Sequence, residues 1–168
     1  VITGAAGGIG EATTRRIVSE GGKVVIADYS KERADKLAAE LTLSGADVRS
    51  VYFSATELQS CKELIAFAIK EYGQIDILIN NVGGTDPKRD TSIEKLDIDY
   101  FDEAFHLNFS CTMYLSQLVI PVMKTHGGGC AIVRPGCHVF FFCPQIFFTD
   151  SCIFASNLVH FLFLPLTF

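Results

Sequence analysis

Short apolar runs rich in β-branched residues alternate with longer stretches whose apolar positions recur every three or four residues, and the alternation persists over about 130 residues. Parallel strands need a crossover long enough to hold a helix, so the pattern predicts a parallel sheet wrapped by helices, a doubly wound α/β fold. The strands fall at 1–3, 23–28, 47–53, 75–79 and 131–133. The fourth is apolar at nearly every position apart from Asp76, which predicts cover on both faces. A first helix spans 9–20 and is closed by Gly21-Gly22. Ser30 can cap a second, whose Ala34, Leu37, Ala38 and Leu41 share one face. A third opens at Thr56 or Glu57, buries Cys61, Leu64, Ile65 and Ala68, and ends at Gly73. A long helix over 99–124 follows the loop 83–90 and stops at Gly127-Gly128-Gly129.

Composition narrows the functional classes. At 168 residues and 49% hydrophobic content the chain can bury the core of one domain. A net charge of −5 leaves no basic stripe for phosphates, so no nucleic-acid partner is expected. The six cysteines show no paired spacing of a disulfide or zinc framework, so no metal is expected and a cytoplasmic location is the default. Val1 falls where the middle of the first strand belongs, and the chain reads as a fragment that leaves an upstream targeting segment open.

Beyond Arg134 the character changes. All fourteen Lys and Arg lie at or before that residue, Asp150 is the one later charge, and most phenylalanines crowd the tail. The uncharged run after Asp150 is interrupted by Asn157, His160 and Pro165, which argues against a membrane span. The expectation is a domain over 1–134 followed by a Phe-rich tail over 135–168 that is foreign to the fold, as translation through an intron or a shifted frame would give.

Thr3-Gly4-Ala5-Ala6-Gly7-Gly8-Ile9-Gly10 carries the first candidate chemistry. Glycines at 4, 8 and 10 let the backbone turn sharply from strand to helix and approach a pyrophosphate with no Cβ in the way. The second apolar run ends in Asp28, about twenty residues on, where a ribose-binding carboxylate is expected. That carboxylate would accept from both ribose hydroxyls and repel a 2′-phosphate. With no arginine immediately after it, NAD is expected in preference to NADP. A Gly-rich turn and a solvated turn aspartate remain the bland alternatives.

Four elements together resemble the short-chain dehydrogenase/reductase family over Val1 to about Val133. They are the glycine loop, Asn80-Asn81-Val82-Gly83 after the fourth strand, Asn108 within Phe105-His106-Leu107-Asn108, and the glycine-led fifth strand from Gly129 to Val133. The wording of Gly10-Glu11-Ala12-Thr13 and of Asp47-Val48-Arg49-Ser50-Val51-Tyr52-Phe53 further resembles a plant branch that includes secoisolariciresinol dehydrogenase and momilactone A synthase. The resemblance implies a Rossmann-type sheet of about five strands in the order 3-2-1-4-5, with the C-terminal part of the fold missing. It also implies NAD(H) contacts at Gly4, Ala6, Gly7, Gly8, Ile9, Gly10, Asp28, Tyr29, Ser54, Ala55, Asn81, Val82 and Gly83. Ser54-Ala55 stands where the family carries an Asp-Val or Asp-Leu pair, which weakens the adenine contact.

Catalysis is where the sequence departs from the family. Asn108, spaced with Phe101, Phe105, Thr112 and Leu115 on or beside a buried helical stripe, matches an asparagine that holds a water in a proton relay. The family then places a serine after strand five and a Tyr-x-x-x-Lys beyond it. Here Cys137 stands at the serine position, with Ile153 and Asn157 at the possible Tyr and Lys positions. No Tyr follows Tyr114 and no Lys follows Lys124. The resemblance thus implies an oxidoreductase transferring hydride between NAD(P) and a small alcohol or ketone, with this chain catalytically impaired. A non-catalytic NAD-binding module and a non-functional truncated product are the alternatives. Homo-oligomerisation would run through the helix over 99–124.

Overall fold

The computed structural model describes residues 1–133. Five parallel strands, β1 (Ile2–Thr3), β2 (Val24–Asp28), β3 (Val48–Tyr52), β4 (Ile77–Asn80) and β5 (Cys130–Val133), lie in the order β3-β2-β1-β4-β5. Helices α1 (Gly8–Ser19), α2 (Lys31–Leu43) and α3 (Leu58–Tyr72) connect the first four. Between β4 and β5 run α4 (Ile98–Phe105), a π turn (His106–Ser110) and α5 (Cys111–Thr125).

Strand periodicity divides the core into two layers. Val24 and Ile26 of β2 pack with Ile2, Ala34, Leu37 and Leu41, on the side of α1 and α2. Val25 and Ala27 face the other way, toward Leu64 and Ile65 of α3 and Leu115 and Val119 of α5. The expected stripe of α3, Cys61 to Ala68, is buried throughout. Each Leu or Ile so covered contributes about 1.5–3 kcal/mol. Cys61 and Cys111 are free thiols that meet between α3 and α5. The hydrogen bond that Cys111 donates to Cys61, together with burial, pushes the Cys111 thiol well above its usual range, so it packs as an inert apolar group.

The helix boundaries follow the local chemistry. Ser30 caps α2, its Oγ accepting the Arg33 N–H at 3.4 Å. Gly73 closes α3 with φ 77°, a left-handed conformation that favours glycine. Two expectations need correction. The long helix over 99–124 is interrupted by the π turn, which inserts an extra residue into the helical repeat. The fourth strand begins at Ile77, not at residue 75, and Ile77 is 41% exposed. On its face α1 lies over β1 and β2 and α2 over β2 and β3, so neither covers the start of β4. The tail expected over 135–168 lies outside the described residues.

Candidate functional site

At the carboxyl ends of β1 and β4 the strand order reverses, and a crevice opens there. β1 ends at Thr3, Gly4 turns left-handed at φ 61°, and α1 starts from Gly7 with no side chain capping it. The helix-start N–H groups, carrying the positive end of the helix dipole, therefore meet no competing side-chain acceptor. Gly10 has a packing role: a Cβ there would stand 2.0 Å from the Gly4 carbonyl oxygen and 2.7 Å from Asn81 Nδ2. A Cβ at Gly8 would meet nothing within 4 Å, so the loop backbone borders open space at that point. This cradle fits a diphosphate.

Asp28 follows Val24 and Ile26 on the same face of β2, which directs it toward the glycine loop. It is 4% exposed, and its Oδ2 accepts the Ala6 N–H at 3.0 Å. Oδ1 accepts the Ser30 N–H at 2.9 Å and lies 3.4 Å from Arg33 Nη2. A carboxylate offers about four acceptor positions, so capacity remains for hydroxyl donors. The solvated turn aspartate is thereby replaced by a buried carboxylate fixed mainly by backbone.

A cleft of about 690 Å³ joins these groups to the ends of β3 and β4. All the cofactor-contact residues expected from the sequence line it except Ala6 and Gly10, which lie behind it holding Asp28 and the loop. Tyr29 is 73% exposed at the rim, its ring 5.7 Å from that of Tyr52. Ser54 is buried, and its Oγ shares a hydrogen bond with the Thr56 hydroxyl at 3.2 Å. Phe53, Thr56 and Leu107 line the cleft as well, and sequence reasoning did not single them out. Arg33 was missed because it lies five residues beyond Asp28; the Ser30 cap, which starts α2 beside the strand end, was the signal that places it there.

Asn81 holds the two strand ends together. Its Nδ2 donates to the Thr3 and Gly4 carbonyls, both at 3.1 Å, while the N–H groups of Asn81 and Val82 reach Thr3 Oγ1 at 3.1 and 3.2 Å. Among the described residues no partner meets Asn81 Oδ1 or either amide atom of Asn80, all three buried. Asn108, at the centre of the π turn, accepts the Gly84 N–H at 2.9 Å and donates to the Gly84 and Ala104 carbonyls, both at 2.8 Å. Its amide thus clamps the chain leaving β4, and one acceptor position on Oδ1 is left over.

The stripe expected to bury Asn108 is only partly buried. Leu115 is covered, but Phe101 and Phe105 are 40% and 46% exposed and stack in line with Phe109. Helical spacing tells which residues share a face and not whether that face is covered, and the inserted π residue shifts the phase between α4 and α5. Tyr100 is the buried aromatic of α4, its hydroxyl bonding Thr85 Oγ1 and the Asp86 N–H. Cys137, Ile153 and Asn157 lie outside the described residues. Among those described, no helix is long and apolar enough to cross a membrane.

Comparison with known proteins agrees with this geometry. A 7alpha-hydroxysteroid dehydrogenase of Bacteroides fragilis is 81% identical over 129 residues, covering 77% of this chain and 50% of that protein. A 3-oxoacyl-[acyl-carrier-protein] reductase of Thermotoga maritima is 33% identical over the same length, covering 77% of this chain and 51% of its own. A solved 7 alpha-hydroxysteroid dehydrogenase, complexed with NADH and 7-oxo glycochenodeoxycholic acid, superposes with a TM-score of 0.72 at 34% identity, over 77% of this chain and 50% of that one. The chain spans about half the length of the curated relatives it matches. These relatives are bacterial, and the plant branch suggested by 10–13 and 47–53 is not supported. Those two stretches form a turn of α1 and the edge strand β3 with its flanks, and of them only Phe53 lines the cleft. The short chain dehydrogenase model matches residues 1–134, and the chain belongs to that family.

Proposed function

We propose that this chain is the cofactor-holding part of an NAD-dependent hydroxysteroid dehydrogenase. The observation that carries the reading is Asp28, buried at the end of β2 and held toward the glycine loop by the Ala6 N–H. The loop and the start of α1 receive the diphosphate, and Asp28 accepts from the adenosine ribose hydroxyls. Ser54 Oγ accepts from the adenine amino group, and Asn81, Val82 and Gly83 wall the nicotinamide side. When bound, the cofactor supplies a carbon that gives or takes hydride. The substrate class rests on likeness to the 7alpha-hydroxysteroid dehydrogenases, whose reaction interconverts a secondary hydroxyl and a ketone.

Asn108 in this reading positions the chain after β4 and offers its remaining Oδ1 position to a relay water. These 168 residues carry no Tyr beyond Tyr114 and no Lys beyond Lys124, and Ile153 and Asn157 cannot act as the usual acid and its cationic partner. A positioned proton donor contributes about 10²- to 10⁴-fold, so we read this chain as binding the dinucleotide while transferring hydride slowly. Its place is cytoplasmic, and the exposed Phe101, Phe105 and Phe109 row is where a second copy would pack.

Titration of the purified chain with NAD tests the reading. Saturable binding is expected, and Asp28→Ala should weaken it about tenfold or more through loss of charge-assisted hydrogen bonds. Absence of saturable binding would refute the cofactor assignment. Turnover of a 7-hydroxysteroid at the rate of an intact dehydrogenase would refute the impairment alone.

A further inference from the structure

Cys61 and Cys111 line no part of the cleft, yet each stands beside an element that does. Cys61 lies in the first turn of α3, where Ser60 Oγ accepts the Ser54 N–H at 2.9 Å and ties the helix to the cleft wall after β3. Cys111 opens α5 directly after the π turn that carries Leu107 and Asn108. The two thiols are hydrogen-bonded to each other in an otherwise apolar seam with Leu64, Ile65, Leu115 and Val119, and are 0% and 3% exposed. Aliphatic side chains would fill that seam equally well; two thiols in contact add chemistry that aliphatics lack. The pair is also asymmetric. The hydrogen bond from Cys111, aided by the backbone, outweighs burial and holds the Cys61 thiol below its usual range, and the positive end of the α3 dipole favours a thiolate at the same place. Cys111 keeps its proton.

We propose that this pair is a redox modification site: hydrogen peroxide oxidises Cys61, and Cys111 resolves the product into a disulfide that locks α3 to α5. In the first step the Cys61 sulfur attacks one peroxide oxygen. An S–O bond forms, the O–O bond breaks, and the thiol proton leaves with the second oxygen as water, so that Cys61 becomes a sulfenic acid. In the second step the Cys111 sulfur attacks the Cys61 sulfur. The S–S bond forms, the S–O bond breaks, and the departing hydroxide takes the Cys111 proton as water. Two thiols give up two electrons and two protons, and one peroxide becomes two waters. Cys111 is inert while Cys61 is reduced; once Cys61 is oxidised, Cys111 is the thiol already in contact with it. A bond of about 2.05 Å only draws the two sulfurs closer and requires no exchange of partners. Burial makes the site selective, because a small oxidant enters through a slight opening of the seam, whereas a bulky thiol or disulfide needs the helices apart. The bridge joins the helix behind the β3 side of the cleft to the helix behind the π turn, whatever the cleft binds.

The test is a peptide map of the full chain. The reduced chain is exposed to hydrogen peroxide without denaturant, its remaining thiols are alkylated, and it is digested with trypsin. Cleavage after Arg49, Lys62, Lys95 and Lys124 puts Cys61 and Cys111 on separate peptides, 50–62 and 96–124, each with a single cysteine. These two peptides are expected to be joined, two hydrogens lighter than their sum, and to separate on treatment with dithiothreitol. Cys111→Ala should abolish the bridge and leave Cys61 as a sulfenic acid that dimedone traps, whereas Cys61→Ala should leave Cys111 unmodified under the same exposure. The urea midpoint of the oxidised unsubstituted chain should lie roughly 1 M or more above that of the reduced chain, a rise that both variants lose. Should either variant fail to fold, the map and midpoints of the unsubstituted chain decide alone. Recovery of Cys61 and Cys111 as alkylated thiols after exposure overturns the proposal. A bridge that forms only at urea concentrations that unfold the chain overturns it likewise, and so does one that forms without raising the midpoint. None of these results bears on the cofactor reading, which nucleotide titration tests separately.

Discussion

The two ends of the sheet are built from the same strands and helices yet treat an aspartate in opposite ways. At the carboxyl end Asp28 is buried and satisfied mainly by the N–H groups of Ala6 and Ser30. At the amino end Asp47 lies in a cluster of side chains, with Arg49 at 3.0 Å, Lys23 at 3.4 Å and the Tyr72 hydroxyl at 3.2 Å. Backbone donors fix an acid without consuming a cation, so its charge and spare acceptor positions stay available to a ligand. Side-chain donors neutralise it in place, and the cluster closes the end of the fold. Helix ends follow the same division: α1 starts uncapped beside the cleft, whereas α3 ends on a left-handed glycine at the opposite edge.

The most damaging way to break this contrast is Gly10→Ala. The new methyl would overlap the Gly4 carbonyl and Asn81 Nδ2, both parts of the wall between β1 and β4. Neither is the end of a flexible side chain free to retreat, so a loss of roughly 3 kcal/mol is expected, at the upper side of ordinary overpacking. Gly8→Ala is the internal control. Space is open there, and only the positive φ of 47° opposes a side chain, so about 1 kcal/mol is expected. Urea midpoints of the two variants check the order. Equal losses would mean that the loop is held by local conformation and not by its contact with β4.

Asn108→Ala sharpens the comparison within the carboxyl end. Three hydrogen bonds disappear and the Gly84 N–H loses its acceptor, which should cost about 1–3 kcal/mol. Faster hydrogen exchange at the Gly84 amide, with the Ala6 amide unaffected, is the expected signature. The Ala6 N–H is bonded to Asp28 and not to the clamp. Speeding of both amides would show the two halves of the cleft to be one cooperative unit.

These variants also mark how far the sequence could be read. The glycine loop and Asp28 were legible because the bond that joins them, Ala6 N–H to Asp28, lies within the first 28 residues, where one strand, one tight turn and one helix dictate where the next strand ends. Asn81 was legible as part of a strand-ending turn, though its bonds to Thr3 and Gly4 span 78 and 77 residues and no local pattern reports them. Arg33 was not legible as a partner of Asp28, nor Leu107 as a cleft residue. Their position depends on where a following helix begins and on a single inserted residue in a π turn. The Phe101, Phe105 and Phe109 row shows the same limit in reverse, since its spacing suits a buried face and the described fold leaves it exposed.

The smallest effect is expected at the amino end, where pH separates the side-chain cluster from the backbone-held acid. Burial, followed by the Asp47 carboxylate, pushes the Tyr72 hydroxyl from its ordinary value near 10 up to about 12. Its single proton is shared between the Asp47 carbonyl at 3.0 Å and the Asp47 carboxylate at 3.2 Å, and ionisation would set two anions against each other. The folded chain therefore keeps this proton after the unfolded chain has released it. The stabilisation is complete below pH 10 and declines as pH rises from about 10 to about 12. Lys23 and Arg49, lying 5.8 and 5.7 Å from the ring centroid, temper the loss by attracting the phenolate. In Tyr72→Phe the alkaline slope of stability over that window should shrink, measured as urea midpoints at successive pH values. An unchanged slope would move the alkaline weakness away from Tyr72, leaving its hydroxyl as a packing contact with no part in holding Asp47.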